Sequence, residues 1–298
     1  EYLQMNHQYF LAIAEKTNTS QIFLFDYNTE KFNVDQPEYF IILSSSQDTT
    51  GALRIFDVKH FTMAGEHYLM YAEYTFGKSE IFKFNENTNT FESFQVIPTN
   101  KARSCEHFTI SDDHFIIFAE YNRLPDTEQS IANKLYKYDN NQEQFVSTQE
   151  ISTKGAVYWK YWNYFQMGEI KHMLAVANKG FTGSYPGKYS QDSVVYQYSA
   201  VQETFKPVKN ISTQGGRDIT HFTIDDKHFL AVSNERTDDS NFEVNVKVLD
   251  ITPPQTITNP HNGTINSIVA FAGSSVTPQQ TSVRACNSFG CSNNIVES

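Results

Sequence analysis

The stretch HFTMAGEHYLMYAEY, running from His60 to Tyr74, decides the fold because the chain repeats it. It returns as HFTISDDHFIIFAEY from His107 and as HFTIDDKHFLAVSN from His221. Two degenerate copies fit the same template, YLQMNHQYFLAIAE from Tyr2 and YFQMGEIKHMLAVAN from Tyr164, so the starts lie 58, 47, 57 and 57 residues apart. A fixed period in this range is the signature of a repeat array rather than of an ordinary globular domain.

Reading outward, each copy predicts four short strands. HFTI is the first, and a turn of Gly and Asp residues (AGE, SDD, DDK) leads into the second, HYLMYAEY or its equivalent. The third is the run Ile81–Phe84, matched by Leu135–Tyr138, Val194–Tyr198 and Ile22–Phe25. FESFQVI, FVSTQEI and FKPVKNI supply the fourth. Strands of this length separated by turn signals indicate an all-β chain, and no segment carries a helical period. Tyr68, Leu69, Met70 and Tyr71 are consecutive apolar residues, which suits a sheet buried on both faces, such as a propeller blade between two others.

Composition agrees. Of 298 residues, 14% are aromatic, with 24 Phe and 17 Tyr against 2 Trp, and such side chains favour a pleated surface. The net charge of −11, with no basic run, would repel a phosphate backbone and argues against nucleic acid. No apolar run reaches the roughly 18 residues that cross a bilayer, so no membrane insertion is expected. The chain opens on Glu1-Tyr2-Leu3 inside a repeat, without signal-peptide character, and its natural N-terminus is expected to lie further upstream.

A second string links each fourth strand to the next first strand: QVIPTNKARSCEHF from Gln95, QEISTKGAVYWKYWNYF from Gln149 and NISTQGGRDITHF from Asn210, with a weaker copy from Asp48. With the first strand pair, this closely resembles the EAR (epitempin, EPTP) repeat, found in leucine-rich glioma-inactivated proteins and in a very large adhesion receptor. The resemblance covers residues 1–251, with repeats starting near 1, 57, 104, 161 and 218. It implies a seven-bladed β-propeller outside the cell that contacts other proteins, of which five repeats are visible here and the fifth loses its last strand after Asp250. Two further blades are expected outside this chain, with a five-bladed closure as the alternative. Residues 252–262 read as a linker. Residues 263–298 resemble part of a fibronectin type III module, too short for the usual ≈ 100 residues.

The candidate sites follow. His60, His107 and His221 share one repeat position, with Tyr2 and Tyr164 in the other copies; recurrence in every blade favours packing over a metal ring. Asp57 and Asp218 stand three residues earlier, with Ser104 and Tyr161 as counterparts, and could hold a structural Ca²⁺ in the channel. Trp159 and Trp162, in the densest aromatic stretch, are candidate partner-binding residues, or core. The long turns 120–133 and 178–193 offer Phe181, Tyr185 and Tyr189 for adaptable contacts. Cys286 and Cys291 flank a turn that a disulfide could close, and Asn18, Asn210 and Asn262 are sequons; together they lean toward a secreted protein or an ectodomain. No nucleophile elbow, P-loop or dinucleotide glycine pattern occurs, so no enzyme is expected. The expected function is recognition of a cell-surface or matrix protein, the alternative a carbohydrate-binding lectin displaying Trp159 or Trp162.

Overall fold

A computed structural model describes residues 1–5, 8–14, 21–33, 39–40, 54–88, 90–121, 131–180, 188–238, 245–253, 286–287 and 290–291, all β or turn, with no helix among them. Five antiparallel sheets follow one another as propeller blades. Blade 1 holds β1 (Tyr2–Met5), β2 (Gln8–Ile13) and β3 (Gln21–Asp26), with β4 (Lys31–Phe32) and β5 (Tyr39–Phe40) both pairing with β3 as an interrupted outer strand. Blade 2 holds β6 (Ile55–Met63), β7 (Glu66–Glu73), β8 (Lys78–Asn85) and β9 (Thr90–Pro98). Blade 3 holds β10 (Ala102–Ile110), β11 (Asp113–Glu120), β12 (Ile131–Asp139) and β13 (Gln144–Thr153). Blade 4 holds β14 (Ala156–Gln166), β15 (Glu169–Asn178), β16 (Ser190–Ser199) and β17 (Thr204–Gln214). In blade 5 the described residues form three strands, β18 (Gly216–Ile224), β19 (Lys227–Asn234) and β20 (Lys247–Asp250). Further on, β21 (Cys286–Asn287) pairs with β22 (Gly290–Cys291), placing Cys286 opposite Cys291. That is the expected hairpin; the two cysteine side chains, Asn18, Phe181, Tyr185, Asn262 and nearly all of 252–298 lie outside the described residues.

Stability comes from the spaces between blades. The side chains of a strand alternate between faces, so Tyr68 and Met70 pack toward blade 3 while Leu69 and Tyr71 pack toward blade 1. Four apolar clusters result, one at each successive blade boundary. Trp159 fills the boundary between blades 3 and 4 and is completely buried. Its indole N–H donates to Phe118 O at 3.2 Å and to Asn133 Oδ1 at 3.1 Å. On the outer strands, Gln95 exchanges two hydrogen bonds with the backbone of Phe145 (2.9 and 2.8 Å). Gln149 does the same with Phe205, at 2.8 Å each. The recurring Gln of QVI and QEI therefore fastens blade 2 to blade 3 and blade 3 to blade 4.

The first hairpins turn tightly where φ is positive at both central residues, as at Ala64-Gly65 and Asp225-Asp226, which matches the twist of the flanking strands. Blade 4 differs. Its strand pair closes at Gln166 opposite Glu169, yet His172 sits opposite Asn163, whereas in blade 2 the closing pair is Met63 and Glu66 with His67 opposite Thr62. The blade 4 hairpin is thus two residues longer on each arm, so the residue equivalent to His60 is Tyr161 rather than Tyr164. By the same shift, the counterpart of Asp57 is Tyr158, not Tyr161.

Candidate functional site

The first strands approach one another most closely, so the axis is lined by β6, β10, β14 and their equivalents. One position on them alternates in charge. Lys59 reaches Glu1 at 3.9 Å and Glu106 at 3.7 Å, and Glu106 meets Lys160 at 3.4 Å. This ladder stitches blades 1 to 4 around the axis. Asp57 is already used: Oδ1 accepts from the N–H of Val58 at 3.0 Å and Oδ2 from that of Cys105 in the next blade at 3.1 Å. Burial pushes its carboxyl up to about 6, against the pull of those N–H groups and Lys59. Asp218 Oδ1 accepts from the N–H of Ile219 at 2.7 Å. Among the described residues no three His, Cys, Asp or Glu side chains form a metal-holding group. With N–H groups on the carboxylates and two lysines alongside, this donor set does not fit the six to eight oxygens that Ca²⁺ requires.

The rim bearing the first hairpins is an aromatic stair. His60 Nε2 lies 3.0 Å from His67 Nδ1, and the same pairing links His107 to His114 and His221 to His228, also at 3.0 Å. In blade 4 the Tyr161 hydroxyl takes the role, 2.6 Å from His172 Nδ1. Between blades, Phe61 stacks on His107 at 4.2 Å, Phe108 on Tyr161 at 4.3 Å and Trp162 on His221 at 5.3 Å. Burial first, and the neighbouring His second, lower His60 and His221 to about 4 and His107 to about 3. These imidazoles are neutral packing groups.

The opposite rim carries the turns between second and third strands. In blades 2 to 5 the second strand ends in Glu or Asn; Glu73 accepts from the Phe76 and Gly77 N–H groups of the turn that follows it, whereas in blades 3 to 5 the side chain caps the chain entering its own blade. Glu120 accepts from the Asn100 N–H at 2.8 Å, Asn178 from Lys154 at 3.2 Å and Asn234 from Gln214 at 2.8 Å. Burial raises the Glu120 carboxyl to about 7 despite that bond. The residue after each cap is Tyr74, Tyr121, Lys179 or Glu235. In three blades it meets the bulged residue at the start of the first strand, Tyr74 with Phe56, Tyr121 with Arg103 and Glu235 with Arg217; the bulged residue of blade 4 is Val157.

Together these make a belt of rings and charges across blades 2 to 5. The Arg103 guanidinium lies over Tyr121 (4.4 Å), Phe56 (5.1 Å) and Tyr74 (5.3 Å). Lys179 lies 6.0 Å from the Tyr121 ring and 2.7 Å from Glu235. Glu235 also meets Arg236 at 2.9 Å and Arg217 at 3.3 Å. Burial alone would raise the Glu235 carboxyl, but these cations hold it below the usual range. Burial lowers the Lys179 ammonium, with Arg217 and Arg103 adding repulsion against the pull of Glu235.

Family models decide what the repeats are. The EPTP domain matches residues 90–139 and 204–242. The chain carries EPTP repeats. Each matched EPTP unit opens on an outer strand, β9 or β17, and continues into the first strands of the next blade. The thrombospondin-type laminin G domain and EAR repeat-containing proteins of Homo sapiens and Mus musculus are 38% and 36% identical over 107 residues. That match covers 36% of this chain and only 14% of the length of those relatives. A solved Bacteroides uniformis protein assigned as a 6-phosphogluconolactonase superposes over 84% of this chain and 68% of its own, with a TM-score of 0.53 and 12% identity. At that identity it speaks for the propeller fold alone.

The sequence-derived contact residues fare differently. Trp159 and Trp162 are 0% and 5% exposed, and Tyr189 is 4% exposed, so the three are core and present no surface to a partner. Aromatic character alone points to contact residues, but packing between blades claims such side chains first. Tyr189 instead lies beneath Arg236, ring to guanidinium 5.1 Å, and so supports the belt. Asn210 is exposed on β17. The belt itself escaped sequence reading, because its members sit one residue beyond the strand motif or inside a bulge.

Proposed function

We propose that this chain is an extracellular, non-catalytic protein-recognition module that grips its partner on the rim bearing the cation–aromatic belt. The observation that carries this is the belt: the exposed Arg217 and the half-buried Arg103, Arg236 and Tyr74, seated on the buried Tyr121 and Lys179, present guanidinium and aromatic groups on a rigid scaffold, side-chain types that dominate binding energy at interfaces. It lies on the rim where the second strands end, on a fixed framework of the kind that commonly displays contact residues. The presence of EPTP repeats, also found in the laminin G and EAR repeat-containing relatives, supports the reading. The lectin alternative rested on a displayed tryptophan, and both tryptophans are buried.

The test is secretion from animal cells, followed by binding to an array of cell-surface and matrix ectodomains. Saturable binding to a discrete ectodomain, lost when belt residues are changed, is expected. A secreted, folded chain that binds glycans but no ectodomain would overturn the proposal.

A further inference from the structure

We infer that the belt is a receptor for a carboxylate, and that it takes an acidic side chain of the protein partner between Arg103 and Arg217. This rests on the recognition function proposed above and names its chemistry. Four cations meet here, Arg103, Lys179, Arg217 and Arg236, from three successive blades. One carboxylate, Glu235, answers three of them. No carboxylate pairs with Arg103 among the described residues, and its buried Nε has no hydrogen-bond acceptor.

A guanidinium clasped by three rings has lost part of its water shell, which strengthens any charge-assisted bond it makes next. The planar fork of Arg suits a carboxylate bound through two oxygens. Arg217 is reachable, its side chain 46% exposed. The remaining surface selects among anions. Net charge is −11, so an extended polyanion such as a sulfated glycan is repelled along most of its length, while a single acidic side chain meets only the local excess of positive charge.

The probe is a fluorescein-labelled short peptide of Tyr and Ser residues carrying a single Glu, titrated with the full chain, against the same peptide with Gln in place of Glu and heparin as comparators. Expected is binding of the Glu peptide alone, weakening as salt rises. Arg217→Gln should reduce it roughly tenfold, the scale of one lost charge-assisted contact, without changing the melting temperature. Arg103→Gln should do the same; because it also removes packing on three rings, the more exposed Arg217→Gln remains the deciding variant. Equal binding by wild type and Arg217→Gln, no binding of the Glu peptide, or preference for heparin each overturns the inference. An ectodomain that binds wild type and Arg217→Gln equally would also overturn it while leaving the recognition function standing.

Discussion

Replacing His107 by Gln isolates the cost of keeping an imidazole neutral between two blades. His107 is stacked under Phe61 and paired with His114 at 3.0 Å, and burial with its charged and imidazole neighbours lowers it to about 3. An unfolded His titrates near 6.5. Between those values the unfolded chain binds the proton and the folded chain does not, so stability falls as pH falls. From pH 8 to pH 5 the loss from this one group is about 2 kcal/mol, at about 1.4 kcal/mol per pH unit below 6.5. Total stability is a poor readout, because Asp57 and Glu120 are held up to about 6 and about 7 and oppose it, taking protons in the folded state over the same range. The difference between wild type and His107→Gln removes those shared groups. Urea unfolding at pH 8 should show wild type ahead, since Gln cannot stack as the imidazole does. At pH 5 the gap should close or invert by about 2 kcal/mol. A gap equal at both pH values would refute the reasoning, because it would mean that His107 is protonated in place or never desolvated.

Other consequences are read more directly. Trp159→Phe keeps most of the wedge but strips the N–H from two acceptors, and should cost about 1–3 kcal/mol in urea unfolding; an unchanged midpoint would remove the indole bonds from the account. Glu106→Gln leaves Lys59 and Lys160 without their shared partner and should lower stability by about 1–3 kcal/mol, less than for a fully buried pair because both lysines are partly exposed. Adding 1 M salt should change that variant less than wild type. Gly180→Ala puts a Cβ 2.0 Å from Lys188 O at a φ of +84°, so it should destabilise the chain and increase proteolysis near Lys188, and wild-type resistance would contradict it. Asn210→Gln should abolish one glycosidase-sensitive mobility step in the secreted chain, and no shift would mean that this sequon is unused.

Much of the scaffold was legible because it repeats. The strand pairs and the both-faces burial of Tyr68 to Tyr71 followed from register and alternation. The shift from Tyr164 to Tyr161 has a simple source: a hairpin lengthened by two residues on each arm keeps its pairing, while the recurring string follows the turn. Only the partner, His172 opposite Asn163, reveals the shift. The tryptophans misled for another reason. Sequence shows that a residue is aromatic, but blade packing decides which rings stay at the surface, and Trp159 packs with Leu135 and Leu174 at the boundary between blades 3 and 4.

Chemistry that recurs at equivalent positions serves the array, since every boundary poses the same packing problem. The His pairs, the Phe and Trp stacked on the next blade and the Glu or Asn caps all fall in this class, and each is satisfied within the protein. Binding a single partner needs the opposite, a place where equivalent positions differ. Such a place exists after the caps, where Tyr74 and Tyr121 give way to Lys179 and Glu235, and in the bulges, where Phe56 and Val157 alternate with Arg103 and Arg217. Two aromatic positions become a charged pair, and two apolar positions become cations, all on one rim. The substitutions convert a repeated apolar contact into a local excess of positive charge on an acidic protein. Packing does not require that change, because blade 2 fills the same positions with Phe56 and Tyr74, their rings 5.1 Å apart. The rim therefore separates what the propeller needs in order to stand from what it presents to a partner.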